Sequence, residues 1–148
     1  MRELLDLEMP ACAQSLKPMR DALEAALGRV GIADEARQRL KLVVDEAAAN
    51  VIRHAYGDCG EGHMELYVGI TRGWLRIVLR DRAPPVDPSR IRPRDLSECR
   101  PGGLGINFID ETMERWRIAP LKRGRGNRLT MFKRLSATRA ADTTGERE

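Results

Sequence analysis

The spacing of apolar residues changes from a helical to an extended period after residue 57, and that change most constrains the fold of this chain. Over residues 18–30 the apolar positions recur at intervals of three and four, which predicts a helix that stops at Gly31. Asp34 is a suitable N-cap for a second, longer helix that ends at Gly57. We expect the buried stripe of this second helix to consist of Leu40, Val43, Val44, Ala47, Val51 and Ala55.

After Gly57 the apolar residues alternate with polar ones, as they do in strands. The segments HMELYVGI and WLRIVLRD flank a TRG turn and predict an antiparallel hairpin. ELLDLEM, RWRIAPL and NRLTMFKRL predict further strands, and GINFIDETMERW has the period of a helix. The sequence therefore predicts an α+β fold, a two-layer sandwich of a mixed, mostly antiparallel sheet with helices on one face.

Length and composition suit a single domain. The chain has 148 residues, of which 42% are hydrophobic, and this is enough for one core. We expect one domain over residues 1–135 and a polar, disordered tail over residues 136–148. Apolar runs are short, and the N-terminus carries acids where a signal peptide would carry bases. A soluble, cytoplasmic protein without a membrane segment is expected.

Charge and cysteine content argue against two classes of function. The net charge of +4 comes from 26 basic and 22 acidic residues that are interspersed, and only 4% of residues are aromatic. With few rings on which bases could stack, direct binding to nucleic acid is not expected. Cys12, Cys59 and Cys99 are odd in number and lack CxxC spacing, which argues against a disulfide framework or a zinc site.

An acid and an amide stand one turn apart in the second predicted helix, within VVDEAAANVIRHAYG. Glu46 and Asn50 project from the same helical face, with Arg53 and His54 close by. Such side chains commonly do no more than solvate an outer face. The alternative is a magnesium site, because an amide oxygen is a neutral, hard ligand for an ion that also binds phosphates. The carboxylate could then deprotonate an attacking hydroxyl.

Two further motifs suit a nucleotide. Asp81, in VLRDRAPPVDP, can accept a hydrogen bond from an exocyclic amine, although aspartate at a strand end can equally be a turn residue. The proline-rich segment 84–101 predicts a mobile surface loop. The glycines of RPGGLGINFI then lead into a helix, and the backbone NH groups of such a loop bind phosphate. This loop is neither a Walker loop nor a Rossmann fingerprint.

The order of these motifs resembles that of the GHKL ATPase superfamily, and most closely the stand-alone serine-protein kinases that act as anti-sigma factors in bacteria. The likeness covers about residues 10–135, nearly a whole domain. DEAAANVIRHAYG is similar to the magnesium-binding box of the family, DRAPPVDP to its adenine box and GGLGINFID to its second glycine box. GNRLTMFKRL is similar to its closing strand. The resemblance implies the Bergerat-type sandwich of histidine-kinase-like ATPase domains.

By matching position, the resemblance implies a protein serine kinase that uses ATP and Mg²⁺. Glu46 would be the catalytic base and Asn50 the magnesium ligand, while Asp81 would accept from the adenine amino group. The implied nucleotide-binding positions are Asn50, Asp81, Ala83, Gly102, Gly103, Leu104 and Gly105. The implied substrate is a serine on a STAS-domain anti-anti-sigma protein. A sigma factor or another regulator is the second implied partner, and a homodimer is the implied assembly.

The adenine box departs from the family pattern. Ala83 replaces the glycine of Asp-x-Gly, so the backbone approaches a ligand less freely and nucleotide affinity is expected to be reduced. A threonine that helps to hold adenine in the superfamily would fall near Arg128, and Thr130 lies two residues later, so neither is assigned a role. The alternative function is a regulatory module that binds nucleotide and protein partners without kinase turnover.

Overall fold

The computed structural model describes residues 1–55, 62–82, 104–121 and 126–135, and in these residues three helices cover one face of a five-stranded sheet. A short 3₁₀ turn over Ala13–Ser15 precedes the first helix. The predicted α+β sandwich is therefore confirmed. The elements in chain order are β1 (Arg2–Pro10), α1 (Leu16–Arg29), α2 (Asp34–Ala55), β2 (His63–Thr71), β3 (Trp74–Asp81), α3 (Leu104–Thr112), β4 (Arg115–Pro120) and β5 (Asn127–Arg134).

The strand order is β1-β2-β3-β5-β4, and every pairing among the described strands is antiparallel. β5 inserts between β3 and β4, so the last strand of the sequence is interior and β4 lies at an edge. This insertion brings the C-terminal end of β3 beside the N-terminal end of β5, where Asp81 pairs with Asn127. The sheet thus joins two segments that the sequence separates by a helix and a strand.

Side chains alternate across the sheet as the sequence pattern predicts. Leu75, Ile77 and Leu79 of β3 are almost fully buried beneath the helices. Their neighbours on β2 in the same layer, Met64, Leu66 and Val68, are fully buried as well. The intervening positions of β3, among them Arg76 and Arg80, lie on the face away from the helices, which we call the open face.

Helix α2 buries more of its surface than its sequence suggested. Leu40, Val43, Val44 and Ala47 are buried as predicted, and Val51 is half-buried. Ala48 and Ile52 are buried in addition. The stripe is wide because α2 packs between α1 and α3 as well as on the sheet. Two helix ends also differ by a few residues, since α2 begins at Asp34 itself and α3 ends at Thr112.

Ion pairs join α1 to one flank of α2. Glu24 of α1 lies 2.7 Å from Arg37 Nε and 2.9 Å from Lys41 Nζ. Arg20 Nη1 lies 2.7 Å from Asp45 Oδ1. Lys41 lowers the pKa of the Glu24 carboxyl, Arg37 lowers it further, and partial burial opposes both. These contacts identify the flank of α2 that faces α1.

Candidate functional site

Glu46 and Asn50 project from the flank of α2 opposite the ion pairs with α1. Arg37, Lys41 and Asp45 contact α1, and the helical period places Glu46 and Asn50 roughly half a turn around the axis from them, toward α3. Both side chains are half-buried. Glu46 and Asn50 lie in one continuous helix, so their spacing of four residues places them on one flank of it.

Among the described residues, Arg53 is the hydrogen-bond partner of Asn50. The Asn50 Oδ1 accepts a hydrogen bond of 2.7 Å from Arg53 Nη2, one turn further along the helix. Arg53 itself is exposed. This contact orients the amide with its oxygen toward a cationic group.

Asp81 is the buried carboxylate of the site. It is the last residue of β3, it lies in the helix-covered layer with Ile77 and Leu79, and its exposed fraction is 7%. Its Oδ1 accepts a hydrogen bond of 3.1 Å from Asn127 Nδ2 on β5. A carboxylate held in this way at the end of a strand is a fixed acceptor, which is the property that recognition of an adenine amine requires.

Asn127 is a site residue that the sequence reasoning missed. It is 3% exposed and supplies the amide that holds Asp81. The signal was present only indirectly, because the polar Asn127 occupies the inward-facing register of β5 together with Leu129 and Met131. A polar residue in a buried layer needs a hydrogen-bond partner, and Asp81 is opposite.

Gly126 allows β5 to begin against the end of β3. Its φ of +144° lies outside the range that L side chains favour, and a Cβ built on it would come within 2.2 Å of the Asp81 carbonyl oxygen. The backbones of β5 and β3 therefore approach each other closely beside Asp81. Any residue with a side chain at position 126 would prevent this approach. Glycine at this position is a condition for the Asp81–Asn127 contact.

Thr130 and Arg128, which the sequence left without a role, are on the open face. They pair with Val78 and Arg80, whose positions alternate with the helix-covered positions of β3. Thr130 is buried between its neighbours, and Arg128 is half-buried. Neither lies in the same layer as Asp81.

Only part of the predicted glycine loop falls in the described residues. Leu104 and Gly105 form the first turn of α3, which has no acidic residue in that turn, so the positive end of the helix dipole is not neutralised locally. Ala83, Gly102, Gly103 and the predicted lid over residues 84–101 lie outside the described residues, as does the tail. Their roles remain predictions.

The elements that carry the site residues are connected through α2. α2 packs against α3 and against β3, so the helix with Glu46 and Asn50, the strand with Asp81 and the helix after the glycine loop belong to one cluster. The residues that the sequence predicts as base, amide ligand, adenine acceptor and phosphate-binding helix start are thus carried by elements of one layer and the strand beneath it. This grouping is consistent with the nucleotide-binding ATPase domain that the motif order predicts.

Comparison with known proteins agrees with this class. Residues 9–133 match the family described as histidine kinase-like ATPase domain, and the chain belongs to that family. "Serine-protein kinase RsbW" of Oceanobacillus iheyensis is 27% identical over 120 residues, covering 76% of each chain. "Anti-sigma F factor" of Pasteuria penetrans is 28% identical over 143 residues, covering 93% of this chain and 95% of the relative. The family resemblance drawn from the motifs is confirmed.

Solved structures show the same fold. The RsbU and RsbW domains of Rv1364c from Mycobacterium tuberculosis superpose with a TM-score of 0.63 at 16% identity, over 88% of this chain. This chain spans only 31% of that longer protein. The catalytic domain of histidine kinase ThkA superposes with a TM-score of 0.54 at 15% identity, covering 88% of this chain and 95% of that domain. At such identities the likeness concerns the fold alone.

Two kinds of feature are absent from the described residues. They contain no cluster of three or more histidine, cysteine, aspartate or glutamate side chains that could hold a metal ion. They also contain no helix long and apolar enough to cross a lipid bilayer. Asn50 is half-buried and offers a neutral amide oxygen. Such an oxygen fits a magnesium ion, because Mg²⁺ prefers hard oxygen donors and completes its shell with phosphate and water.

Proposed function

We propose that this chain is an ATP-dependent serine-protein kinase that acts as an anti-sigma factor. The observation that carries the proposal is the placement of Glu46 and Asn50 on the α3-facing flank of α2, in the same cluster of elements as the buried Asp81. A binding module that only recognised proteins would have no use for a carboxylate there. The names of the curated relatives support the same activity.

Glu46 serves as the general base in this proposal. Its carboxylate accepts the proton of a substrate serine hydroxyl, and the serine oxygen attacks the γ-phosphorus of ATP as the bond to ADP breaks. Phosphoryl transfer of this kind depends mostly on positioning and on charge neutralisation. Asn50 would hold Mg²⁺, which supplies that neutralisation when bound. The helix N-terminus at Leu104 and Gly105 would face the phosphates.

Asp81 selects adenine in this proposal. One buried carboxylate, oriented by Asn127, accepts a hydrogen bond from the adenine amino group, whereas guanine presents a carbonyl oxygen at the equivalent position. Bound GTP would leave the buried Asp81 carboxylate without the hydrogen bond that the adenine amino group donates. This loss costs about 1–3 kcal/mol, which is enough for clear discrimination between ATP and GTP. The methyl group of Ala83 is expected to reduce the affinity for both nucleotides.

The proposed partners follow from the family. The substrate is a STAS-domain anti-anti-sigma protein. Its unphosphorylated form competes with a sigma factor for binding to this chain. The competition forms a partner-switching pathway that regulates transcription in the cytoplasm. We propose a homodimer that forms on the β1 side of the sheet, because β1 is an edge strand in the described sheet and an open edge tends to be paired. Light scattering coupled to size-exclusion chromatography tests the assembly.

A pair of substitutions on α2 tests the division of roles. Asn50→Ala is expected to abolish the part of ATP affinity that depends on magnesium, whereas Glu46→Gln is expected to keep binding and to lower phosphotransfer at least about 100-fold. Calorimetric titration with ATP, ADP and GTP, with and without magnesium, measures binding. Transfer of radiolabelled γ-phosphate to candidate STAS-domain proteins measures catalysis. Glu35→Gln, an exposed carboxylate on the same helix, is the matched control.

The outcomes separate the two candidate functions. Saturable, adenine-selective binding with phosphate transfer that requires Glu46 supports the kinase. Binding without transfer to any STAS-domain protein favours the regulatory module. Equal loss of binding in both variants would contradict the roles given to Glu46 and Asn50.

A further inference from the structure

A groove of about 610 Å³ lies at the end of the sheet opposite Asp81. It forms where the turn between β2 and β3 meets the first residue of β3, the last residues of β5 and the edge strand β4. Nothing in the proposed kinase reaction uses this end of the sheet. Its lining is almost entirely aromatic and cationic, with Arg72, Trp74, Arg115, Trp116, Arg117 and Phe132.

The arginines of the groove are available to a ligand. Arg72, Arg115 and Arg117 are exposed, and within the part of the chain that the structure describes none of their side chains takes part in a hydrogen bond or an ion pair. Two other arginines of the sheet are engaged: Arg80 lies 3.9 Å from Glu65, and the guanidinium of Arg134 lies 4.6 Å from the Trp74 ring centroid. Three unpaired guanidinium groups around one depression favour an anionic ligand.

Arg72 occupies its position at a conformational cost. Its φ of 48° is left-handed, in a turn where the next residue, Gly73, also has positive φ. Such turns favour asparagine or glycine at both central positions, and a residue with a long side chain costs about 1 kcal/mol there. A turn that only reversed the chain would be more stable without this arginine, so its side chain is a candidate for a binding role.

Trp74 and Phe132 lie on the same face of the sheet as Arg115 and Arg117. Trp116 instead takes the helix-facing register opposite Met131, and its indole NH donates to Asp110 at the rim of the groove. Phe132 stands in register between Arg76 on β3 and Arg115 on β4, and Trp74 is opposite Arg134. Trp74, Trp116 and Phe132 are half-buried, so part of each aromatic side chain remains accessible. Tryptophan and arginine together are the residues most enriched at the energetic centres of protein interfaces.

We propose that this groove binds an acidic, aromatic-containing segment of a partner protein. Carboxylates of the segment pair with Arg72, Arg115 and Arg117, and its rings or aliphatic groups pack against Phe132 and the part of Trp74 that Arg134 leaves accessible. The guanidinium groups provide bidentate donors for carboxylates, and packing against the aromatic side chains removes apolar surface from water. The site is separate from the proposed nucleotide site and does not depend on kinase activity.

The charge of the open face favours a protein segment over a nucleic acid. Asp6 and Glu8 on β1 and Glu65 on β2 occupy the same face on the two strands beyond β3, and Glu65 lies toward the opposite end of the sheet, where it pairs with Arg80. Asp6 and Glu65 also line a smaller depression of about 170 Å³ that adjoins Arg80. A phosphodiester strand that extended from the groove across the sheet would meet these carboxylates, whereas a short peptide segment would end before them.

Intrinsic fluorescence gives a direct measurement, because both tryptophans of the chain line the groove. The probe is a short peptide of alternating glutamate and phenylalanine, titrated without nucleotide, and its counterpart carries glutamine in place of glutamate. We expect a saturable change in tryptophan emission with the glutamate peptide and no such change with its glutamine counterpart. The double variant R115E/R117E should weaken binding at least about tenfold. The matched control R2E/R39E changes the net charge equally at exposed sites outside the groove.

Other results would overturn the proposal. Equal weakening in the control variant would mean non-specific attraction, and tighter binding of single-stranded oligothymidine than of the peptide would mean a nucleic-acid site. If tryptophan emission changed with protein concentration in the absence of peptide, the occupant of the groove would be a second copy of the chain. If emission did not change with the acidic peptide, the groove would not bind such a segment. The Asp81→Asn variant should bind the peptide normally, which separates this test from that of the proposed kinase. Circular dichroism verifies that each variant is folded.

Discussion

At the scale of single residues, Asp81 and Asn127 show how a polar pair can serve both the fold and a site. They are 46 positions apart in the chain and meet through one hydrogen bond in a buried layer. A buried carboxylate is tolerated only when donors satisfy it, so Asn127 stabilises the acceptor that the ligand needs. The pair therefore stabilises the fold. In our proposal, Asn127 also orients the Asp81 carboxylate toward the adenine amino group.

Exchange of the two residues separates these roles. Asp81→Asn alone should lower stability by about 1 kcal/mol and ATP affinity at least about tenfold. The double variant Asp81→Asn with Asn127→Asp restores an acid–amide pair and should recover stability, but it moves the carboxylate to β5 and should not recover ATP binding. Chemical denaturation and calorimetry measure the two quantities, with Asp6→Asn as an exposed control. Recovery of both properties by the exchange would show that the position of the carboxylate is unimportant.

At the scale of elements, the junction of β3 and β5 depends on a residue without a side chain. Gly126→Ala places a Cβ against the Asp81 carbonyl oxygen in an unfavourable φ region. We expect a loss of about 2 kcal/mol or more in the free energy of unfolding. Gly28→Ala in α1 is the matched control, since nothing lies within 4 Å of its added methyl group, and it should be neutral or stabilising. Thermal denaturation compares the two variants, and equal effects would refute the close approach.

The packing of α1 on α2 should depend on pH through Glu24. Because Lys41 and Arg37 lower its pKa below the ordinary value of 4.5, the folded state favours the charged carboxylate more than the unfolded state does. Its stabilising contribution is therefore present above that ordinary value and is lost as the pH falls through the lowered folded-state pKa.

Glu24→Gln measures this contribution. The difference in stability between the parent chain and the variant should be largest near neutral pH and should shrink as the pH falls below 4.5. Urea denaturation over a pH series gives the difference, and Glu35→Gln, whose carboxylate is exposed, should show a much flatter profile. A difference that grows on acidification would mean that the ion pairs do not stabilise the helix pair.

At the scale of the whole molecule, the sheet separates two ends with different chemistry. Asp81 and Asn127 lie at one end, and the aromatic and cationic groove lies at the other, joined by the same strands β3 and β5. A ligand at either end binds only the folded chain, so each should stabilise the whole domain by mass action.

Nucleotide should therefore raise the melting temperature. At a magnesium–ATP concentration 100 times Kd, the expected gain is about 2.7 kcal/mol, or about 5 to 10 °C for a domain of this size. GTP at the same concentration should produce a smaller shift, and Asp81→Asn should remove most of the difference between the two nucleotides. Differential scanning fluorimetry checks this, and equal shifts with ATP and GTP would argue against Asp81 as the adenine acceptor.

The elements were the most predictable part of this structure, because local periods specify them. The alternation of Met64, Leu66 and Val68 and the helical spacing of Met19, Leu23 and Leu27 both appear as buried layers. The stripe of α2 was predicted too narrow, because a single sequence does not reveal that a helix packs on three sides. The candidate site was predictable where its residues share an element, as Glu46 and Asn50 do, and not where they meet across strands.

The sequence by itself determined the period of each segment, the acid and amide on one helical face and the motif order of the histidine kinase-like ATPase family. Only the tertiary structure decided that β5 lies between β3 and β4, that Asn127 holds Asp81, and that arginines and aromatic rings of three strands line one groove. The physical reason is that alternation along a strand specifies which face a side chain takes, whereas strand pairing is a long-range choice that specifies its neighbours.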